Sequence, residues 1–244
     1  SNAAVGSAAL TRATSSYNTA VGSQALGLLE TGDSNTAVGR GALDSVTAGD
    51  RNIGVGGFAL DSLTGGDDNV AIGYTAGYSL SSGSDNVYLN NQGANESNTM
   101  RLGNLNQTRA FLAGVRGVAT GNNNALAVVI DSAGQLGTVS SSRRTKFDIA
   151  DLDASVSSAL HQLRPVQFRY LAPFADGSTP IQYGLIAEDV QQVLPELVAL
   201  DEQGEPASVK YHVLPSLLLA EVQRLSRELA TLRSELATAM AAQK

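Results

Sequence analysis

Asn18-Thr-Ala-Val-Gly22, Asn35-Thr-Ala-Val-Gly39, Asn52-Ile-Gly-Val-Gly56 and Asn69-Val-Ala-Ile-Gly73 are copies of one segment, each starting 17 residues after the last. A fifth Asn, Asn86, keeps the spacing, and three residues after each Asn stands Val21, Val38, Val55, Ile72 or Leu89. Further along each unit come Ala25-Leu26, Ala42-Leu43, Ala59-Leu60 and the weaker Ala76-Gly77, then Leu29, Val46, Leu63 or Leu80. Gly32-Asp33, Gly49-Asp50, Gly66-Asp67 and Gly83-Ser84 close the units, and Ala4-Val5-Gly6 with Ala9-Leu10 reads as an earlier, shortened copy. A fixed period of this length is the mark of a repeat architecture. The Asn-Thr-Ala-Val stretch suits one brief strand, the Gly after it permits a turn, and Gly-Asp reverses the chain. One unit cannot bury its own apolar edge, whereas stacked units can, so residues 1–96 are expected to form a β-solenoid. In such a stack Asn18, Asn35, Asn52, Asn69 and Asn86 align, and their amides are expected to form a ladder.

Composition agrees with thin rungs: the 244 residues include 25 Gly, no Trp and only 5% aromatics. The net charge of −7 and the scattered Lys and Arg leave no basic footprint for nucleic acid. No run approaches the roughly 18 apolar residues of a membrane span. Cysteine is absent, which excludes disulfides, thiol catalysis and a Cys-ligated metal. His161 and His212 lack metal-site spacing, so no metal or cofactor is expected. Ser1-Asn2-Ala3 reads as a remnant of tag cleavage.

The repeat resembles the heads of trimeric autotransporter adhesins, whose β-rolls reuse segments such as Asn18-Thr-Ala-Val-Gly22, although the 17-residue period here is longer than the one common in those heads. The resemblance spans about residues 3–95 and implies three rolls packed side by side.

Beyond Asn98 the period breaks. Asn98-Thr-Met-Arg-Leu-Gly103 echoes the repeat at a different distance, and Ala110–Val118 and Ala125–Ile130 are apolar runs of strand length. Asp131-Ser-Ala-Gly134 offers a turn, and residues 97–140 are expected to be a β-rich neck. Gly114, Gly117 and Gly121 lack phosphate-loop spacing. From Ser140-Ser141-Ser142-Arg143-Arg144-Thr145-Lys146 onward glycine thins out and helical patterns begin. Leu152–Leu163 fits a helix ending before Pro165, Val166–Tyr170 and Gln182–Ile186 read as strands, and Ala187–Leu194 reads as a short helix stopped at Pro195. Asp201–Gly204 is a turn. Leu218, Val222, Leu225, Leu229, Leu232, Leu236 and Ala239 alternate steps of four and three, a coiled-coil seam within about residues 213–244. Glu221, Glu228 and Glu235 take one flanking position, and Arg233 stands five after Glu228, the spacing of an ion pair between parallel helices. Leu at both core positions leaves the number of strands open.

Ser141-Ser-Arg-Arg-Thr-Lys146, Tyr183-Gly-Leu-Ile-Ala-Glu188 with Leu194-Pro-Glu-Leu-Val198, and Tyr211-His-Val-Leu-Pro-Ser-Leu217 together resemble the endosialidase-type intramolecular chaperone of phage tail spikes and fibres. The resemblance covers about residues 141–244. It implies an α+β domain ending in a long helix that drives trimerisation of the fibre before it. In many members self-cleavage then releases that domain. By position, Ser141 would be the nucleophile, Lys146 its general base and Ser140–Ser141 the scissile bond, since a Ser hydroxyl needs an adjacent base to attack. Ser142 stands where the family usually carries Asp.

The expected protein is thus a structural and adhesive homotrimeric fibre segment, extracellular on a phage virion tail or a bacterial surface, with a host-surface receptor or glycan as its external partner. The alternative is a Ser-Lys peptidase acting once in cis. A carbohydrate-binding or carbohydrate-degrading tip is a third reading, and no paired carboxylates on a recognisable scaffold support it.

Overall fold

The computed structural model describes residues 1–201 and 203–242. Glu202, in the expected Asp201–Gly204 turn, and Gln243 and Lys244, at the end of the expected coiled coil, lie outside the described residues. The chain forms two compact units, Ser1–Val118 and Ala119 onward.

The first unit is a β-solenoid. Seven strands of three residues, β1 (Ala3–Val5), β2 (Thr19–Val21), β3 (Thr36–Val38), β4 (Ile53–Val55), β5 (Val70–Ile72), β6 (Val87–Leu89) and β7 (Met100–Leu102), pair in sequence order as one sheet. All pairs are parallel, and from β2 to β6 each residue faces its counterpart 17 positions on, as Thr19↔Thr36↔Ile53↔Val70↔Val87. The offset is 16 between β1 and β2 and only 13 between β6 and β7 (Val87↔Met100). The echo at Asn98–Gly103 is therefore a rung with a shortened return rather than a break. A second bridge column, Ala48↔Gly65↔Ser82, runs parallel to the sheet.

In each strand from β2 to β6 the middle residue points inward and the other two face out. The interior is built of columns of like residues. Ala20, Ala37 and Ala71 form one column, Ala25, Ala42, Ala59 and Ala76 another, and Leu26, Leu43 and Leu60 a third. Leu29, Val46, Leu63 and Leu80 complete the interior, and all are fully buried. Each such Leu contributes about 1.5–3 kcal/mol by leaving water, and truncating one to Ala costs about 2–5 kcal/mol. The Gly22, Gly39 and Gly56 column has φ between +131° and +138°, and a Cβ there would stand 2.4–2.5 Å from the next rung's carbonyl oxygen. Only glycine fits.

The last full rung is closed by a substitution within the columns. Where earlier rungs carry Leu, position 77 is Gly, and where they carry Ala or Gly, position 88 is Tyr. The fully buried Tyr88 ring lies against Gly77 and Gly93, whose missing side chains make room for it. Its hydroxyl lies 3.1 Å from Glu96 Oε1, and Arg101 holds the same carboxylate through two bonds of 2.6 and 2.7 Å. The aromatic plug with its ion pair does what end caps of solenoids must do, filling the apolar cross-section where the full rungs give way to the shortened return to β7.

No strand forms over Ala110–Val118, contrary to expectation, and only Val129–Ile130 of the second apolar run is extended in a ladder. Gly114 and Gly117 adopt positive φ and turn the chain, and Phe111, Leu112, Val115 and Val118 stay exposed with no strand beside them.

In the second unit β8 (Val129–Ile130) and β9 (Leu136–Gly137) form a hairpin, as the Asp131–Gly134 turn predicts. Asp131 Oδ1 closes that turn by accepting the Ala133 and Gln135 N–H groups. Helix α1 (Ala154–Ser158), capped by Asp153, runs on through a 3-10 turn at Ala159–Gln162 and stops before Pro165. β10 (Val166–Phe168) pairs antiparallel with β11 (Gln182–Gly184). Helix α2 (Ala187–Val193) ends at Pro195, and β12 (Val198–Leu200) pairs with β13 (Pro206–Val209). The chain closes with α3 (Leu214–Ala242), whose Pro215 sits in the first turn, where a missing N–H costs nothing. Val190, Leu194, Leu197, Val198, Val209 and Leu217 form the core of this unit, with Val156 and Leu160 against it.

Candidate functional site

Ser140 to Lys146 form one local turn. Arg143–Thr145 is a 3-10 helix capped by Ser142, whose hydroxyl accepts the Arg144 N–H. Ser140 and Thr145 hydroxyls lie 3.0 Å apart, and Thr145 also donates to the Ser142 carbonyl. Ser141 and Lys146 flank this turn, both exposed, and no hydrogen bond joins them among the described residues. Ser142, in the position where Asp was expected, serves as the cap and also accepts from Arg144 Nε at 3.2 Å. The turn thus brings the two sequence-marked groups onto one loop without coupling them. An exposed Ser hydroxyl without a bonded base is a poor nucleophile.

The apolar stripe of α3 is a second feature. Leu218, Val222, Leu225, Leu229, Leu232 and Leu236 lie on one stripe, each between 43% and 62% exposed. A single amphipathic helix of this length leaves its stripe in water unless another helix covers it. The first turns of α3 are partnered differently: Leu217 packs into the core of the second unit, and Glu221, one turn on, is 4% exposed against α1. The Glu221 carboxylate accepts from His161 Nε2 and from Arg224 at 2.6 and 2.9 Å, with Ser157 beside it. The Arg224 guanidinium, helped by His161 and Ser157, outweighs the opposing effect of burial and holds this carboxyl down at about 2. Glu221 therefore ties α3 to α1 rather than flanking the seam with Glu228 and Glu235, as heptad position alone suggests. Glu228 pairs within α3 to Arg224. Nothing in the local sequence announces a contact between residues 60 apart.

Residues 141–199 match the family model for the chaperone of endosialidase. No curated protein matches the chain. The endosialidase-chaperone match begins at Ser141 and runs through α1, α2 and into β12, so the Ser141 turn opens the matched segment and α3 lies beyond it. No helix of the described residues is long and apolar enough to cross a membrane.

In the solenoid the five repeat Asn side chains are buried and linked. Asn35 donates its backbone N–H and its amide to Asn18 Oδ1 at 2.8 and 3.1 Å and gives its other amide proton to the Gly49 carbonyl. Asn52, Asn69 and Asn86 repeat the pattern on Gly66, Gly83 and Glu96. Asn2, read from the sequence as a tag remnant, extends it by accepting the Asn18 N–H. A second ladder runs along the Gly-Asp turns. Asp33, Asp50 and Asp67 each accept, at 2.8 Å, the N–H of the residue one rung earlier, namely Ser16, Asp33 and Asp50. Their 17-residue spacing carried that signal as plainly as the Asn spacing did.

Proposed function

We propose that this chain is a homotrimeric, extracellular fibre segment whose C-terminal region is the trimerisation chaperone. The exposed Leu stripe of α3 carries the reading. Six large apolar residues in heptad register are stable in water only when covered by like helices, and the number three follows the endosialidase-chaperone resemblance. Val21, Val38, Ile72 and Leu89 form a comparable outward column on the solenoid, suited to packing against a second and third roll. Residues 1–96 would be the shaft, 97–140 the neck and 141–244 the chaperone. A receptor or glycan on a host surface would be the external partner. Light scattering on the purified chain is expected to give three times the 25.1 kDa chain mass. A stable monomer would overturn the reading. Expressing residues 1–140 alone is expected to give misassembled solenoid, because near-identical rungs can pair out of register without a nucleating helix.

The second reading, self-cleavage at Ser140–Ser141 by Ser141 and Lys146, is favoured by the start of the family match at Ser141. It requires surroundings that bring the two groups together, and mass spectrometry of the incubated chain tests it.

A further inference from the structure

The rungs from Arg40 to Tyr78 carry a group of side chains that neither the solenoid core nor the trimer reading uses. Along the turn that follows each strand, a side chain of one rung leans over a glycine of the rung before. The Phe58 ring lies against Gly41, the Tyr74 ring against Gly57, and the Asp44 carboxylate against Gly27. Phe58 and Tyr74 meet edge to face with centroids 6.2 Å apart, and the Arg40 guanidinium sits 5.2 Å from the Phe58 centroid. The Asp61 carboxylate reaches the same Gly41 as Phe58, which places it beside that ring. The 17-residue register puts Asp44, Asp61 and Tyr78 in one column on three successive rungs. Tyr74 is 71% exposed.

From this arrangement we infer that the turn face bearing Arg40, Asp44, Phe58, Asp61, Tyr74 and Tyr78 is a binding site for an uncharged glycan. Aromatic faces offer the apolar body and rigid surface on which the C–H face of a sugar stacks. Carboxylates accept only and a guanidinium donates only, so a ligand rich in hydroxyls satisfies both kinds at once. Neither Asp44 nor Asp61, nor Arg40, takes part in an ion pair among the described residues. Rungs lie about 4.8 Å apart, comparable to the span of one sugar ring, so carboxylates on successive rungs can address successive hydroxyls. The same two unpaired carboxylates disfavour this face as a contact between copies, since covering them with apolar surface leaves charges without partners. The net charge of −7 disfavours an acidic glycan. The site rests on the fibre reading for its purpose but not for its chemistry.

The test is an array of glycans applied to the full chain, with neutral oligosaccharides of glucose, galactose and N-acetylhexosamines beside sialylated and sulfated ones. Hits are titrated by tyrosine fluorescence, and light scattering runs in parallel. Saturable binding of a neutral glycan is expected, falling about tenfold or more in Tyr74→Ala and in Phe58→Ala, as truncating an aromatic anchor does. Asp61→Asn is expected to weaken it severalfold and leave the fold intact. Tyr17→Ala, which removes another exposed Tyr outside this face, should change nothing. A chain that scatters as a trimer yet retains no neutral glycan refutes the site alone. A monomer that binds refutes the trimer alone. Preference for acidic glycans, binding unchanged in Tyr74→Ala, or a trimer that dissociates in Tyr74→Ala would each overturn the site.

Discussion

Replacing Asn52 by Ala removes one link from the middle of the amide ladder, and the cost follows from what loses its partner. The Asn52 backbone N–H keeps its bond to Asn35 Oδ1, and Asn69 Nδ2 keeps its bond to Gly83. Two groups do not recover: the buried Asn69 backbone N–H, which points at Asn52 Oδ1 from 3.1 Å, and the half-buried Gly66 carbonyl, which accepts the Asn52 amide at 2.7 Å. An orphaned buried group costs about 1–3 kcal/mol and the half-buried carbonyl adds less, so Asn52→Ala is expected to lose at least about 1–3 kcal/mol per chain. Guanidinium unfolding of the full chain followed by circular dichroism measures it, with hydrogen exchange at Asn69 as the local reporter. Asn2→Ala is the control, since Asn2 makes a similar bond to Asn18 while exposed, and should cost under about 1 kcal/mol as surface substitutions do. Asn52→Asp keeps the shape and the acceptors but faces Asn35 Oδ1 and the Gly66 carbonyl with a carboxylate. Its deficit should shrink as pH falls and the buried acid takes up a proton to donate. A loss for Asn52→Ala no larger than that for Asn2→Ala would refute the reasoning, because it would mean water replaces the amide inside the stack.

Leu229→Glu, in the middle of the α3 seam, is expected to shift light scattering from three chains toward one while the far-ultraviolet signal of the solenoid persists; an unchanged trimer would remove the seam from assembly. For Glu221 the folded carboxyl sits near 2 against an ordinary 4.5. Its contribution is therefore present above about pH 4.5 and lost as pH falls through about 2. Exchange protection in α1 should drop over that window in wild type, and Glu221→Gln should start lower and lack the dependence. If the chain cuts itself, Ser141→Ala and Lys146→Ala should each abolish fragments beginning at Ser141, and Ser142→Asp should speed their appearance. Fragments with another N-terminus would remove the pair from consideration.

The period of 17 was sufficient to announce a solenoid, its inward Ala and Leu columns and its Asn ladder. In a stack each residue's neighbour is its own copy one rung away, so local spacing already contains the tertiary contact. The same property makes the Asp ladder legible in the 17-residue spacing of Asp33, Asp50 and Asp67. The 3.5-residue step of Leu218 to Leu236 likewise marked the exposed apolar stripe of α3, because a helix face is fixed by sequence alone. Other features depended on contacts that no period encodes. The plug at Tyr88 needs Gly77, Glu96 and Arg101 together, and the short return to β7 shows only when Met100 is found beside Val87. Leu26, Leu43 and Leu60 sit at φ between +51° and +55°, a conformation disfavoured for Leu and tolerated because the rungs on either side determine it. The apolar run Ala110–Val118 reads as a strand and forms none, since a strand exists only where another pairs with it. Glu221 reads as a seam flank and is buried instead, because α1, 60 residues earlier, packs across the first turns of α3 and brings His161 and Ser157 to its carboxylate. Repetition and periodicity report contacts between near or equivalent residues; contacts between unlike, distant ones come into being only when the chain folds.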